Sequence, residues 1–253
     1  MDLQLDGLRA VVLGGSRGIG WYTADLLASE GVQVALCARG AEGVTAAVNS
    51  LPPVPQGSHF GEARDLMDAE APGAFIRSVV EQFGGLDILI HNASGFDRQG
   101  DEDGWQRSFQ IDMMAGVRAV DAALPTLQVS KGSSITFIGS MASKFYFRRR
   151  SSYGPAKAAM RAYANELAQS YGRDGVRANV VSPGAVYFPG GSWDTVKQEQ
   201  PEFYRNVEKG IPLGRLGTAA EIARIVAFVA SPAGIWINST HIAADGGQVA
   251  AVD

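Results

Sequence analysis

The chain has few of the residues that staple a fold or hold a metal: one cysteine, Cys37, and three histidines, His59, His91 and His241, in 253 residues. A lone cysteine closes no intrachain disulfide, and histidines so widely spaced give no zinc-ligand pattern, so no metal site is expected. Basic residues are not in excess. The 22 lysines and arginines against 26 acids leave a net charge of −4, and such a chain has no overall field to attract nucleic acid. Membrane-length apolar runs are also missing. The longest uncharged stretch, starting at Ile225 and ending before Asp245, is interrupted by Ser231, Pro232, Gly234, Asn238 and Ser239, and so reads as a helix end, a turn and a buried strand. The opening MDLQLDGLRA places two acids before its first arginine and has no signal-type apolar run, which predicts a cytoplasmic protein.

What is present is the makeup of a globular protein with a sizeable core: 46% hydrophobic and 19% charged residues, too apolar for disorder. The length suits one large α/β domain. Short β-branched runs, at 10–14, 32–37, 59–63, 86–91, 134–139, 178–182 and 240–243, are bounded by turn residues and alternate with helix-period segments. The helical segments lie at 19–29, 41–50, 71–82, 103–129, 153–171 and 218–230. Alternation of this kind builds βαβ units, so the expected fold class is a single-domain α/β Rossmann fold: a doubly wound, parallel, seven-stranded sheet with helices on both faces. The stretch from about Pro183 to Gly217 breaks the rhythm. It is punctuated by Gly and Pro, has no strand of its own, and holds one amphipathic run, Trp193–Lys209. Its length suggests a substrate lid at about 185–217, or else a helical excursion packed on the surface.

Between the first strand and first helix the chain reads Gly14-Gly15-Ser16-Arg17-Gly18-Ile19-Gly20. Glycines there let the backbone approach a pyrophosphate, and the helix N-terminus supplies N–H groups and a positive dipole end, so this is a dinucleotide loop in its required context. At the end of the second strand, where an acid would bind the ribose hydroxyl of NAD, stands Arg39. With Arg17 it offers guanidinium groups to a 2′-phosphate, so NADP(H) is expected in preference to NAD(H); either arginine is also readable as a solvated surface charge.

Tyr153 and Lys157 are four residues apart on a helical segment and share one face. A neighbouring ammonium favours the phenolate and brings a tyrosine within reach of proton transfer at neutral pH. Ser140 ends the preceding strand at the carboxyl edge of the sheet, where open α/β folds bind their ligands.

Together these ordered motifs resemble the short-chain dehydrogenase/reductase family, with 3-oxoacyl-carrier-protein reductases among the similar members, over essentially the whole chain. The family's Thr-Gly-x-x-x-Gly-x-Gly loop matches Leu13 to Gly20, its Asn-Asn-Ala-Gly segment matches His91-Asn92-Ala93-Ser94, and its Ser and Tyr-x-x-x-Lys match Ser140, Tyr153 and Lys157. Its Pro-Gly matches Pro183-Gly184 and its terminal Asp-Gly-Gly matches Asp245-Gly246-Gly247. The resemblance implies that Tyr153 is the general acid or base, that Lys157 holds the nicotinamide ribose and that Ser140 bonds the substrate oxygen. It further implies that Asp65 and Leu66 meet the adenine, that Asn92 and Ala93 line the adenosine ribose, and that Pro183, Gly184 and Val186 border the nicotinamide. It implies a homotetramer, or a homodimer, and the apolar Ile225–Ala244 segment suits such an interface.

Several positions depart from the family. Asp112 stands where an Asn commonly serves the proton relay behind the lysine; it is read as a fourth catalytic residue or as a structural ion-pair partner. Leu13 and Ser94 replace Thr and Gly. After Pro183-Gly184 the usual Thr is missing from Ala185-Val186-Tyr187-Phe188, and the added rings suggest a bulky or ring-containing substrate. Arg148, Arg149 and Arg150 follow three aromatics beside the site, either to receive an anionic substrate or as a solvated charge run. The expected function is interconversion of a ketone, either a 3-oxoacyl thioester or a cyclic or aromatic ketone, with its secondary alcohol. The alternatives are a dehydratase, epimerase or decarboxylase on the same fold, or an NADPH-binding sensor whose chemistry has decayed.

Overall fold

The computed structural model describes residues 1–55, 57–97, 100–130, 132–146 and 150–250. The β-branched runs form β1 (Arg9–Leu13), β2 (Gln33–Ala38), β3 (Phe60–Ala63), β4 (Ile88–His91), β5 (Ser134–Ile138) and β6 (Arg177–Pro183). Two-residue strands β7 (Val186–Tyr187) and β8 (Gly217–Thr218) follow, and β9 (His241–Ala244) is the last. All but β7 and β8 lie in one seven-stranded sheet, in the order β3-β2-β1-β4-β5-β6-β9, with every pair parallel. The strand order reverses beside β1, which pairs with both β2 and β4. Such a reversal opens a crevice at the carboxyl ends of the strands.

The connecting helices are α1 (Gly18–Ser29), α2 (Ala41–Ser50), α3 (Ala71–Phe83), α4 (Glu102–Ser108), α5 (Ala115–Leu127), α6 (Tyr153–Tyr171), α7 (Ser192–Glu199), α8 (Pro201–Gly210) and α9 (Ala219–Ala230). They cover both faces of the sheet, so alternate residues of one strand enter different cores. Val11 and Leu13 join Phe75, Val79, Val120 and Met160, whereas Ala10 and Val12 join Leu27, Val44, Ile222 and Val226. Double-sided burial is why β1 is a continuous apolar run without polar alternation.

Three sequence expectations need correction. The lid region does contain strands, because β7 and β8 pair in parallel through Val186–Gly217 and Tyr187–Thr218. Its amphipathic run is two helices, broken at Gln200-Pro201, since proline disfavours a helical residue before it and cannot continue the hydrogen-bond ladder. The segment expected as one helix over 103–129 is α4, a π-helical turn at Phe109–Met114, and α5. Inserted π turns commonly re-aim a side chain at a functional site, and this one buries Asp112 completely.

Candidate active site

A cleft of about 1500 Å³ opens at the carboxyl ends of β1, β4 and β5. The expected nucleotide residues Gly14, Ser16, Arg17, Gly18, Ile19, Arg39, Asp65, Leu66, Asn92, Ala93, Pro183, Gly184 and Val186 line it, as do Ser140, Tyr153 and Lys157. Gly20 and Asp112 lie behind its surface. A Cβ on Gly20 would stand 2.2 Å from the Gly14 carbonyl oxygen, so this glycine is required for packing beneath the loop. Asn92 braces the same turn, its Nδ2 donating to Gly14 O at 2.7 Å. Asp65 forms a turn, accepting from Met67 N at 3.0 Å.

Gly18 has φ +55 and begins α1 with no side chain, and the ring of Phe188 covers it from the lid side. Phe188, from the segment where the family's Thr is missing, therefore packs against the glycine loop. Arg64, which the motifs do not mark, reaches the cleft beside Arg39 and is paired with Glu62. Its signal is only its place, one residue beyond β3.

The Tyr153 and Lys157 side chains project from the first turns of α6 as their spacing requires. Lys157 is 1% exposed, and its Nζ donates to Ile138 O at 2.8 Å and ion-pairs with Asp112 Oδ1 at 3.0 Å. That Nζ stands 5.7 Å from the centroid of the Tyr153 ring. Asp112 also accepts the Gly95 N–H on Oδ2 at 2.9 Å, so one buried carboxylate ties the lysine to the loop after β4. Ser140, two residues beyond β5, accepts from Ala142 N at 3.1 Å, which opens the 3-10 turn Met141–Ser143 along the cleft.

His91 is the neighbour that the motifs leave without a role. Fully buried at the end of β4, it donates from Nε2 to the Asp112 backbone carbonyl at 2.9 Å, an acceptor that fixes the tautomer. Burial, reinforced by the Lys157 cation, pushes its pKa down from 6.5 to about 4, and burial does the same at His241. Between these values the unfolded chain binds protons that the folded chain refuses, so stability falls as pH drops through the window. Thermal unfolding followed from about pH 7 to about pH 4 should show this decline, and His91→Asn should flatten it; an unchanged slope in the variant would remove His91 from the account.

The other half of the cleft is aromatic and basic. Phe96, with φ 44, sits in the left-handed region, a strained conformation for a bulky residue. Its ring meets Tyr153 edge-on, with centroids 5.3 Å apart. Trp105, Phe145, Tyr146, Phe188, Trp193 and Phe203 add apolar surface, and Arg107, Lys144 and Arg150 add charge. Of the expected arginine run, Arg150 lines the cleft, while Arg148 and Arg149 lie outside the described residues.

A family model described as enoyl-(acyl carrier protein) reductase matches residues 14–248. The chain is 33% identical to isoepoxydon dehydrogenase patN of Aspergillus clavatus over 247 residues, covering 96% of this chain and 95% of the relative. It is 29% identical to the 3-oxoacyl-[acyl-carrier-protein] reductase FabG of Vibrio cholerae, covering 97% and 99%. Among solved structures it is similar to L-sorbose reductase from Gluconobacter frateurii complexed with NADPH and L-sorbose, with a TM-score of 0.91, 26% identity and full coverage of both chains.

Proposed function

The chain belongs to the short-chain dehydrogenase/reductase family and is an oxidoreductase using a nicotinamide cofactor, and on that premise we propose that it is NADP(H)-dependent and interconverts a bulky ketone with its secondary alcohol. The observation that carries the reading is the buried Lys157–Asp112 pair beneath Tyr153, in a cleft that begins at a glycine loop. The residues present fit the cofactor. Gly14 to Ile19 open the N-terminus of α1 onto the cleft for a pyrophosphate, with the Phe188 ring over Gly18 as one wall, and Arg39, with Arg64 also lining the cleft, would offer charge-assisted hydrogen bonds to a 2′-phosphate. When bound, the nicotinamide supplies or accepts the hydride at the carbonyl carbon.

In the reductive direction Tyr153 gives its Oη proton to the developing alkoxide, and Ser140 Oγ hydrogen-bonds the same oxygen. Lys157, held by Ile138 O and Asp112, stabilises the phenolate left on Tyr153, and its remaining proton would be available to the ribose of a bound cofactor. Asp112 keeps that ammonium in place. The aromatic lining favours a ring-containing or long acyl substrate over a small one. The segment at about 185–217 acts as the lid, which Trp193, Val196, Phe203 and Val207 support by lining the cleft. A homotetramer or homodimer in the cytoplasm completes the proposal. It is supported by Trp236, 96% exposed, and Ile235 beyond α9; among the described residues no helix is long and apolar enough to cross a membrane.

Turnover of a panel of aryl ketones, cyclic ketones and 3-oxoacyl thioesters, followed by loss of NADPH absorbance, tests the activity. Fluorescence titration of Arg39→Asp tests the cofactor preference. Removing a charge-assisted phosphate contact and adding a repelling carboxylate should weaken NADPH by at least about tenfold while NADH binds as well or better. Equal affinity of the wild type for both cofactors would overturn the preference.

A further inference from the structure

Building on the ketone reading, we infer that the substrate is an apolar ketone carrying a carboxylate, and that Arg107 and Arg150 bind this group at the outer rim of the cleft. The cations of the cleft fall into distinct groups. Arg17, Arg39 and Arg64 belong to the nucleotide side, and Lys157 is neutralised by Asp112. Arg107, from α4, and Arg150, just before α6, lie on the substrate side together with Lys144, and neither arginine has an ion-pair partner among the described residues.

Both side chains are seated on one loop. A Cβ added to Gly95 would come within 3.1 Å of Arg107 Cγ, and one added to Gly100 within 3.4 Å of Arg150 Cγ. The two arginine stems thus cross the two glycines that bracket Phe96, the residue whose ring touches Tyr153. This loop is pinned at each end. Asp112 Oδ2 accepts the Gly95 N–H at 2.9 Å. Asp97 Oδ2 accepts the Gly100 N–H at 3.1 Å and the hydroxyl of Ser152, the residue before Tyr153, at 3.3 Å. Asp97, the acid on this side of the cleft, is 6% exposed and engaged by these donors. The rim therefore presents positive charge beside apolar surface from Phe96 and Trp105, in the cleft that Tyr153 also lines. A guanidinium pairs a carboxylate through two parallel hydrogen bonds, so a substrate with its carbonyl at Tyr153 and an apolar body along Phe96 would place a terminal carboxylate between the arginines.

The test uses the full chain saturated with NADP⁺, where a ketone binds without being reduced, and reads quenching of tryptophan fluorescence, since Trp105 and Trp193 line the cleft. The probes are benzoylpropionate, an aryl ketone with a terminal carboxylate, and its methyl ester. The acid should bind at least about tenfold more tightly than the ester, with the difference shrinking as salt is added. Arg107→Gln and Arg150→Gln should each bring the acid-to-ester ratio to within about twofold, and Arg107→Lys should retain an intermediate ratio. NADP⁺ affinity of each variant checks its fold. Equal binding of acid and ester by the wild type, binding of neither, or a preference that survives both substitutions would overturn the site. Turnover of the same pair with NADPH separates this proposal from the one it rests on: selective binding without reduction keeps the anion site and removes the reductase, while equal reduction of acid and ester without selectivity does the reverse.

Discussion

Tyr153→Phe should bind NADPH as the wild type does and lose about 10²–10⁴-fold in kcat for every ketone reduced, the range a positioned proton donor contributes. The substitution removes one oxygen and little else. The phenyl ring can keep its edge-on contact with Phe96, 5.3 Å between centroids, and its packing over Lys157, so the variant remains folded and the lost rate belongs to the proton. Stopped-flow reduction at saturating NADPH makes the measurement, with a cofactor titration as the control. An unchanged rate would mean that the proton comes from elsewhere, and unchanged biological activity with tight NADPH binding would favour a sensor. Deuterium carried from labelled NADPH into the product separates hydride transfer from dehydration, epimerisation or decarboxylation on the same scaffold. Ser140 answers a different question. Because it caps the turn after β5 by accepting the Ala142 N–H, Ser140→Ala perturbs the turn at Met141 as well as the substrate oxygen, which makes tyrosine the cleaner probe.

The parts of this molecule that are legible in the sequence are those written in local pattern. Ala10 to Leu13 is an apolar run because both faces of β1 are covered, and Tyr153 and Lys157 share a face because four residues make about one helical turn. The glycine loop is legible for the same reason, since backbone that must pass close to a ligand tolerates little beyond glycine. What escapes is whatever depends on residues meeting from far apart or on subtle backbone changes. The π turn at Phe109–Met114 has the apolar spacing of an ordinary helix, so its effect on Asp112 is invisible until the turns are counted. Strands β7 and β8 are two residues each, too short for any periodicity. Arg107 and Arg150 are 43 positions apart, and they reach the same loop because Gly95 and Gly100 leave room for their stems. His91 looks like a conservative change of a motif residue, and only its bond to the Asp112 carbonyl shows that it helps set the helix behind the lysine.

Lys157→Met should cost the cofactor-free protein about 3–5 kcal/mol, because it leaves the Asp112 carboxylate buried without its cation, and a chain of this size should then melt about 10 °C lower. The wild-type pair adds little net stability, since desolvating both charges offsets most of their attraction; the large effect comes from breaking it on one side. Asp112 is 0% exposed and, among the described residues, would keep the Gly95 N–H as the one donor to its side chain. A second substitution, Asp112→Asn in the Lys157→Met background, should therefore recover most of the stability, because the amide oxygen still accepts that N–H and no charge remains. It should recover none of the turnover, since the ammonium beneath Tyr153 is still missing. The pH dependence supplies an independent check. In the single variant the buried carboxyl group has a folded pKa above its unfolded value, so the protein is most stable where both states are protonated and loses stability as pH rises through the folded value. The gap between Lys157→Met and wild type should accordingly narrow from about pH 8 to about pH 4 in thermal unfolding. A gap that is constant across this range, or a double variant no more stable than the single one, would mean that Lys157 contributes through the packing of its methylene stem and not through its charge.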